Sequence, residues 1–326
     1  MFLTYEQMVS ATVGAVSVEQ NGKWIAFHRF TAGQEQAYLQ MRPDRSEKIR
    51  ATSGVRLAFH TDSHSLSFIS KFTKCSSRCY PRFDVYRDGA MIAHFGIDTF
   101  EDRILKAEVE LGEGDGLVEV YLPWSMGAQI ADFALDDGAS FVPARRAHTM
   151  ISYGDSITQG YDSKYPALTY AATLARMMDA DSINKGIGGE IFFPEQLDDA
   201  DKQAPDYITV AYGTNDWSHC TKERVAKGCR DFYEKLSRLY PTSKIFAITP
   251  IWRENGNDIN RPYGEPVTAV RAMIFEQTAD LANVVVISGD NLIPKRREFT
   301  TDGLHPNDTG AQIYAQNLFA EIKKYL

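Results

Sequence analysis

The hydrophobic pattern of this chain changes period once, near Pro143, and that change limits the fold more than any other feature. Before it, apolar residues recur at every second position: Val55, Leu57 and Phe59; Leu105, Ala107, Val109 and Leu111; Val118, Val120 and Leu122. Successive side chains of a strand point to opposite faces, so this period marks half-buried strands. Asp88-Gly89, between FDVYR and AMIAHF, predicts a hairpin turn, and Gly112 to Gly116 predicts another. Many short strands at this spacing predict an all-β, jelly-roll-like sandwich over residues 1–145.

After Pro143 short buried runs alternate with helical periods, the pattern of a parallel sheet with crossover helices. The predicted strands are Thr149 to Tyr153, Tyr207 to Tyr212, Lys244 to Thr249 and Val284 to Ile287, with a shorter one near Ser182 to Asn184. One helical stripe runs through Ala167, Tyr170, Ala171, Leu174, Ala175 and Met178, with Pro166 at its opening. A second runs through Val225, Cys229, Phe232 and Leu236, and a third through Val267, Val270, Ile274 and Leu281. A last helix is expected from about Asn307 to the C-terminus. The α/β half therefore spans residues 146–326, joined through VPARRA (Val142 to Ala147), which reads as a linker.

Loops at the carboxyl ends of parallel strands carry the ligands of such sheets. This sequence places Gly154-Asp155-Ser156-Ile157-Thr158, Asn184 to Gly189, Gly213-Thr214-Asn215-Asp216 and Asp302-Gly303-Leu304-His305-Pro306 at that one edge. Together they supply what acyl transfer needs. Ser156 is a hydroxyl on a tight turn, and His305 is the base that activates it. Asp302 can hold the imidazole tautomer and stabilise the imidazolium. The backbone N–H groups of Ser156 and Gly189, with the side-chain amide of Asn215, are the candidate donors to a developing oxyanion. Each residue also has a plainer use: Asn215 and Asp216 suit a helix cap, the glycines suit tight backbone, and Asp302 suits an Asx turn. The convergence of all four blocks on one edge favours the catalytic reading.

These blocks resemble those of the SGNH hydrolases, the GDSL-type esterases and lipases. GDSIT (Gly154 to Thr158) stands where that family has its nucleophile block, with Ile157 in place of the usual leucine. NKGIGG matches the glycine block, with Gly189 as donor and Gly188 as the alternative, while GTND and DGLHP match without departure. The resemblance, over about Thr149 to Leu326, implies a flavodoxin-like three-layer α/β/α domain. It also implies a serine nucleophile and no cofactor.

The layout of a sandwich followed by such a domain is similar to that of certain carbohydrate acetylesterases, as is the segment VEVYLPWSMGAQI. Trp217 and Trp252 follow strand ends and are candidates for stacking on a sugar ring, whereas Trp124 and Trp24 are expected to pack. The insertion Arg253 to Tyr263 is polar where a lipase lid would be apolar, which favours a short acyl group on a polar, carbohydrate ester. A broader lipase or thioesterase, an acyltransferase, and an inactive binding module remain as alternatives.

Charge and composition exclude other classes. Lys and Arg number 35 against 43 Asp and Glu, a net −8, which disfavours nucleic-acid and anionic-membrane partners. No apolar run approaches a membrane span, and the N-terminus lacks a basic leader, so a cytoplasmic location is expected. No phosphate-loop or dinucleotide motif is present. His60, Asp62 and His64 read as a surface turn rather than a metal site. Cys75 and Cys79 could bridge in an oxidising compartment, but free thiols are the expectation for four cysteines (with Cys220 and Cys229) in a chain this long.

Overall fold

A computed structural model of the chain describes residues 1–101, 103–198 and 205–326. The strands of its first half are β1 (Thr12–Val13), β2 (Ser17–Asn21), β3 (Trp24–His28), β4 (Arg56–Thr61), β5 (Ser65–Lys74) and β6 (Arg82–Arg87). They continue with β7 (Ala90–Gly96), β8 (Leu105–Glu110), β9 (Gly116–Tyr121), β10 (Met126–Leu135) and β11 (Val142–Pro143). One antiparallel sheet has the order β1-β4-β9-β6-β7, with β11 also paired to β4, and the other has the order β2-β3-β10-β5-β8.

The period of two becomes the core between these sheets. Leu57, Phe59, Val118 and Val120 from one sheet meet Phe68, Val109 and Ile130 from the other, all buried. Each such side chain contributes about 1.5–3 kcal/mol by leaving water. The Asp88-Gly89 hairpin turns with φ of 48° and 81°, both left-handed, as a two-residue type I′ turn requires.

Two features of this half depart from the sequence reading. Helix α1 (Tyr5–Ala11) precedes the first strand, and α2 (Ala32–Met41) lies between β3 and β4. α2 buries only Gln34 and Tyr38, so it shows no apolar stripe, and a Thr31/Gln34 capping box holds its start. The expected linker is also structured. Val142 and Pro143 pair with His60 and Phe59, and Arg146 reaches Glu119 at 2.8 Å.

The second half is a parallel sheet of β12 (His148–Gly154), β13 (Ala180–Gly186), β14 (Tyr207–Ala211), β15 (Lys244–Ile248) and β16 (Val284–Ile287). Its order is β13-β12-β14-β15-β16. The helices are α3 (Ser156–Gln159), α4 (Tyr170–Met177), α5 (Thr214–His219), α6 (Lys222–Leu239), α7 (Thr268–Thr278) and α8 (Asp308–Ile322). Neighbouring residues of one strand feed opposite layers. Phe246 packs with Leu174 and Leu318 under α4 and α8, whereas Ile245 and Ala247 pack with Phe232 and Ile274 under α6 and α7. This is the three-layer arrangement expected. Several boundaries differ: Pro166–Leu168 forms a separate 3₁₀ turn before α4, Leu281 lies beyond α7, and β13 takes in Asn184 to Gly186, the start of the glycine block. Because β12 has β13 on one side and β14 on the other, the strand order reverses there and opens a crevice at its carboxyl end.

The two halves share buried contacts. Arg29, wholly buried on the sandwich side, donates to the carbonyls of Asn184 and Gly186 as well as Ala51 and Lys48. Trp124 Nε1 donates to the Ser163 carbonyl at 2.8 Å, so this tryptophan packs, as expected. Among the described residues no helix is long and apolar enough to cross a membrane, and all four cysteines are unpaired.

Candidate active site

The chain leaves β12 through a turn that excludes any side chain at its first position. A Cβ on Gly154 would stand 2.0 Å from Thr158 Oγ1. Asp155 caps α3, its Oδ1 accepting from the Ile157 N–H at 2.9 Å. Burial raises this carboxyl to about 7, so it shares its charged and neutral forms about equally at neutral pH. Ser156 is then the first residue of α3, at the crevice.

Ser156 Oγ lies 2.9 Å from His305 Nε2, and His305 Nδ1 lies 2.8 Å from Asp302 Oδ2. A carboxylate beside Nδ1 keeps the proton there and leaves Nε2 to accept from the hydroxyl. Asp302 Oδ1 meanwhile accepts from the backbone N–H groups of Leu304 and His305 at 3.0 and 2.9 Å. Burial pushes the Asp302 carboxyl up, but the His305 backbone and imidazole donors outweigh it and hold the group below the usual carboxylate range. The imidazole also packs beside Tyr161, ring centroids 5.4 Å apart, and Tyr161 Oη is hydrogen-bonded to Ser76 Oγ of the sandwich.

Counting the backbone donors of the glycine loop separates its two candidates. Ile187 N–H goes to the Gly154 carbonyl, Gly188 N–H to Gln159 Oε1 at 2.7 Å, and Glu190 N–H to the Ile187 carbonyl. Phe192 N–H goes to Asp216 Oδ1. Gly189 N–H has no partner among the described residues, and neither has Ser156 N–H. Asn215 spends one of its two amide hydrogens on the Glu190 carbonyl at 3.0 Å, which brings the glycine loop beside α5. Asp216, rather than Asn215, does the capping: it accepts from Gly213 N–H at 3.1 Å and pairs with Arg224. Ser156, His305, Asp302, Gly189 and Asn215 thus come together at one edge.

The tryptophans divide. Trp217 is wholly buried, donates to the Glu265 carbonyl at 2.7 Å, and carries the guanidinium of Arg253 over its ring at 4.7 Å. It has no face left for a sugar, which corrects the expectation. α5 turns it inward to fill the layer beneath α6. Trp252 stays half-buried against the cluster containing Ile248 and Ile251.

What the sequence did not signal is how much of the site's edge the sandwich half builds. After α2, Arg42, Arg45 and Lys48 reach across to the glycine loop. Arg42 pairs with the buried Glu190 at 2.8 Å, Arg45 Nη2 donates to the Gly189 carbonyl at 3.0 Å, and Lys48 Nζ donates to the Gly188 carbonyl at 2.6 Å. On the other flank Arg78 forms a two-pronged pair with Asp162. The stretch Arg42-Pro43-Asp44-Arg45-Ser46-Glu47-Lys48 is the single local signal, and it looks like any solvated loop.

Asp162, Asp302 and His305 each bring one possible ligand atom within 4.8 Å of the others. Their lone pairs are already committed: Asp162 to Arg78 and Thr301, Asp302 to His305, and His305 Nε2 to Ser156. The donor set suits a hydrogen-bonded chain better than a cation. His60 and His64 are exposed, each beside one acid, Asp115 or Glu113.

Residues 152–313 match the GDSL-like Lipase/Acylhydrolase family. A search of curated protein sequences finds no match. Among solved structures, the salicylyl-acyltransferase SsfX3 from a tetracycline biosynthetic pathway superposes with a TM-score of 0.82 at 23% identity, over 96% of this chain and 94% of its own. A GDSL-like lipase of Bacteroides ovatus, putative by its own description, gives 0.78 at 20% identity over 99% and 97%. A family two carbohydrate esterase from Clostridium thermocellum, in complex with cellohexaose, gives 0.67 at 18% over 84% and 93%. At these identities the likeness is one of fold, and it extends to the antiparallel half. The C-terminal half of this chain is a domain of the GDSL-like lipase/acylhydrolase (SGNH) family, whose chemistry is acyl hydrolysis or transfer.

Proposed function

We propose that the protein is a serine esterase that removes a short acyl group, acetyl above all, from a polar carbohydrate ester. The observation that carries this reading is the unbroken chain Ser156 Oγ, His305, Asp302, with contacts of 2.9 and 2.8 Å. His305 Nε2 takes the Ser156 proton as Oγ bonds to the ester carbonyl carbon. The carbonyl oxygen, now an oxyanion, accepts from Ser156 N–H, Gly189 N–H and the free Asn215 amide hydrogen. Collapse breaks the bond to the alcohol oxygen, which leaves with the proton from Nε2. Water then loses a proton to Nε2, attacks the acyl-serine, and releases the carboxylic acid and free Ser156.

The polar Arg253 to Tyr263 loop supports a short acyl group. The neighbouring carbohydrate esterase fold supports a sugar, with half-buried Trp252 as the aromatic face in reach. A second reading, transfer of the acyl group to a hydroxyl other than water, is supported by the likeness to an acyltransferase. The sandwich half takes part in either reading, as the wall that holds the glycine loop.

The test is hydrolysis of p-nitrophenyl acetate by wild type and Ser156→Ala. A fall of about 10³-fold or more is expected, and equal rates would rule Ser156 out as nucleophile. Octanoyl esters turned over faster than acetyl ones would overturn the acyl assignment. Acylated sugar formed when free sugar is added would favour transfer.

A further inference from the structure

We propose that Arg253, with Arg45 and Arg261, forms an anion-binding subsite at the catalytic cleft, so that the ester carries a carboxylate close to the bond that is cleaved. The proposal rests on the esterase reading for its substrate and on the following geometry for its site.

Most of the part-buried arginines of this chain have a carboxylate. Arg42 has Glu190, Arg56 has Glu119 and Asp181, Arg78 has Asp162, and Arg224 has Asp216. Arg253 is 9% exposed and has none among the described residues. Its Nη1 donates to the Thr214 carbonyl at 3.1 Å, to Thr214 Oγ1 at 2.9 Å and to Ser218 Oγ at 2.9 Å; Nε donates to Asn255 Oδ1 at 2.8 Å. Every acceptor is neutral, and Nη2 donates to no described residue. A guanidinium drawn out of water needs compensation, and neutral hydrogen bonds with the Trp217 ring supply part of it.

The surroundings add positive charge. Arg261 lies over the same indole, 5.6 Å from its centroid, and Asp258 meets its Nε at 3.0 Å. The burial of Arg253 and the nearness of Arg261 both lower its proton affinity, toward about 10. His219 is depressed in turn, by burial first and then by the positive charge of Arg261, Arg253 and Arg45. Asp44 pairs with Arg45 at 2.7 Å, Asp155 is wholly buried and raised to about 7, and Asp302 is engaged by His305, so none of them meets Arg253.

The location is the cleft itself. Arg253 holds the carbonyl of Thr214, the residue before Asn215, while the next residue, Glu254, bonds through its N–H to the Gly303 carbonyl at 2.8 Å. Arg253 therefore sits between the loop of Asn215 and the loop of Asp302 and His305. Arg45 flanks the same cleft from the sandwich, close enough to Gly189 that a Cβ there would stand 2.9 Å from Nη2. A planar carboxylate beside the ester would meet fork-shaped donors, the geometry that arginine suits.

The charge can belong to the acyl part, as in a half-ester of a dicarboxylic acid, or to the alcohol, as in an acetylated sugar acid. Two neutral/anionic pairs separate these sources. Binding to full-length Ser156→Ala is measured for dimethyl against monomethyl succinate, and for glucose against glucuronate. At least tenfold tighter binding of one anion than of its neutral partner is expected, shrinking as salt is added, and the pair that shows it names the source. Arg253→Gln should remove that margin. Should this variant not fold, Arg261→Gln, at a more exposed position, should narrow it in the same direction. Where the succinate pair shows the margin, the kinetic counterpart is the kcat/KM of p-nitrophenyl succinate relative to p-nitrophenyl acetate, which should fall at least tenfold in Arg253→Gln. Equal binding within both pairs would overturn the subsite. Failure of the esterase reading would look different, with no ester turned over while the anion still binds tightly to wild type.

Discussion

Replacing Lys48 by Met tests whether the sandwich half tunes the chemistry or merely supports it. In a trans peptide the C=O and N–H point in opposite directions. Lys48 Nζ holds the Gly188 carbonyl toward the sandwich at 2.6 Å, so the N–H of the same peptide unit, that of Gly189, is aimed away from it, into the cleft. The ammonium also polarises that unit and makes Gly189 N–H a better donor. Methionine keeps most of the apolar stem of this half-buried residue and removes only the charge and the hydrogen bond.

Loss of a whole oxyanion donor slows turnover by about 10²–10³-fold. Lys48 acts one peptide bond away, through a charge-assisted bond worth about 1.5–3 kcal/mol. If roughly half of that is felt as misdirection of Gly189 N–H in the transition state, the barrier rises by about 0.8–1.5 kcal/mol, or about fourfold to twelvefold. The effect should fall on kcat, with KM for p-nitrophenyl acetate little changed, because the interaction strengthens as the oxyanion forms. Lys48→Arg, which restores a cation in reach of the carbonyl, should recover most of the rate. A kcat within twofold of wild type at unchanged melting temperature would refute the reasoning, as would an equal fall in Lys48→Arg.

Asp302→Asn should lower kcat by about 10²-fold or more while the loop stays folded, because an amide oxygen can still accept from Leu304 and His305 N–H but no carboxylate fixes the Nδ1 proton; circular dichroism beside kinetics checks both halves of that statement. Arg29→Leu leaves the carbonyls of Ala51, Asn184 and Gly186 without their donor and should destabilise the fold by about 3 kcal/mol or more in urea titration; a change under about 1 kcal/mol would mean that relief of the buried charge balances the lost bonds. Asp155 binds its proton more tightly folded, near 7, than unfolded, near about 3.9, so its contribution to stability declines as pH rises from about 4 to about 7. Asp155→Asn should flatten that decline between about pH 4 and 7, leaving the part due to Asp216, which burial raises to about 6; an unchanged slope in urea midpoints would contradict it.

What was legible in the sequence is what repeats or what needs a special backbone. The alternation through Leu57 and Phe59, and the stripe Val225, Cys229, Phe232 and Leu236, mark burial because each side chain's direction follows from its own position. The glycine requirement at Gly154 and the left-handed Gly189, with φ of 81°, survive as motif letters for the same reason. Trp217 shows where this logic stops. Its place after the GTND block put it near the strand ends, but whether it faces the cleft or the core depends on the rotation of a six-residue helix and on Arg253 arriving from β15, 36 residues later. α2 escaped because a helix fastened by Gln34, Tyr38 and caps carries no periodic signal.

The same limit explains why the sandwich's part in the site was invisible while its fold was not. A strand's inward face is written in every second residue, but Arg29, Arg42, Arg45, Lys48 and Arg78 act by reaching carbonyls and acids more than 80 residues away in the chain. A lysine bound to a backbone carbonyl leaves no matching letter at the other end, since every residue has a carbonyl. Glu190 and Asp162 are the exceptions, acids whose cations lie in the other half, and neither is distinguishable by sequence from a surface acid. These contacts sit on the glycine loop and beside His305, the parts whose orientation sets the rate. The sandwich is therefore better understood as the outer wall of the active site than as an appended module, and a catalytic half expressed alone should lose activity through a misdirected glycine loop even where its parallel sheet still forms.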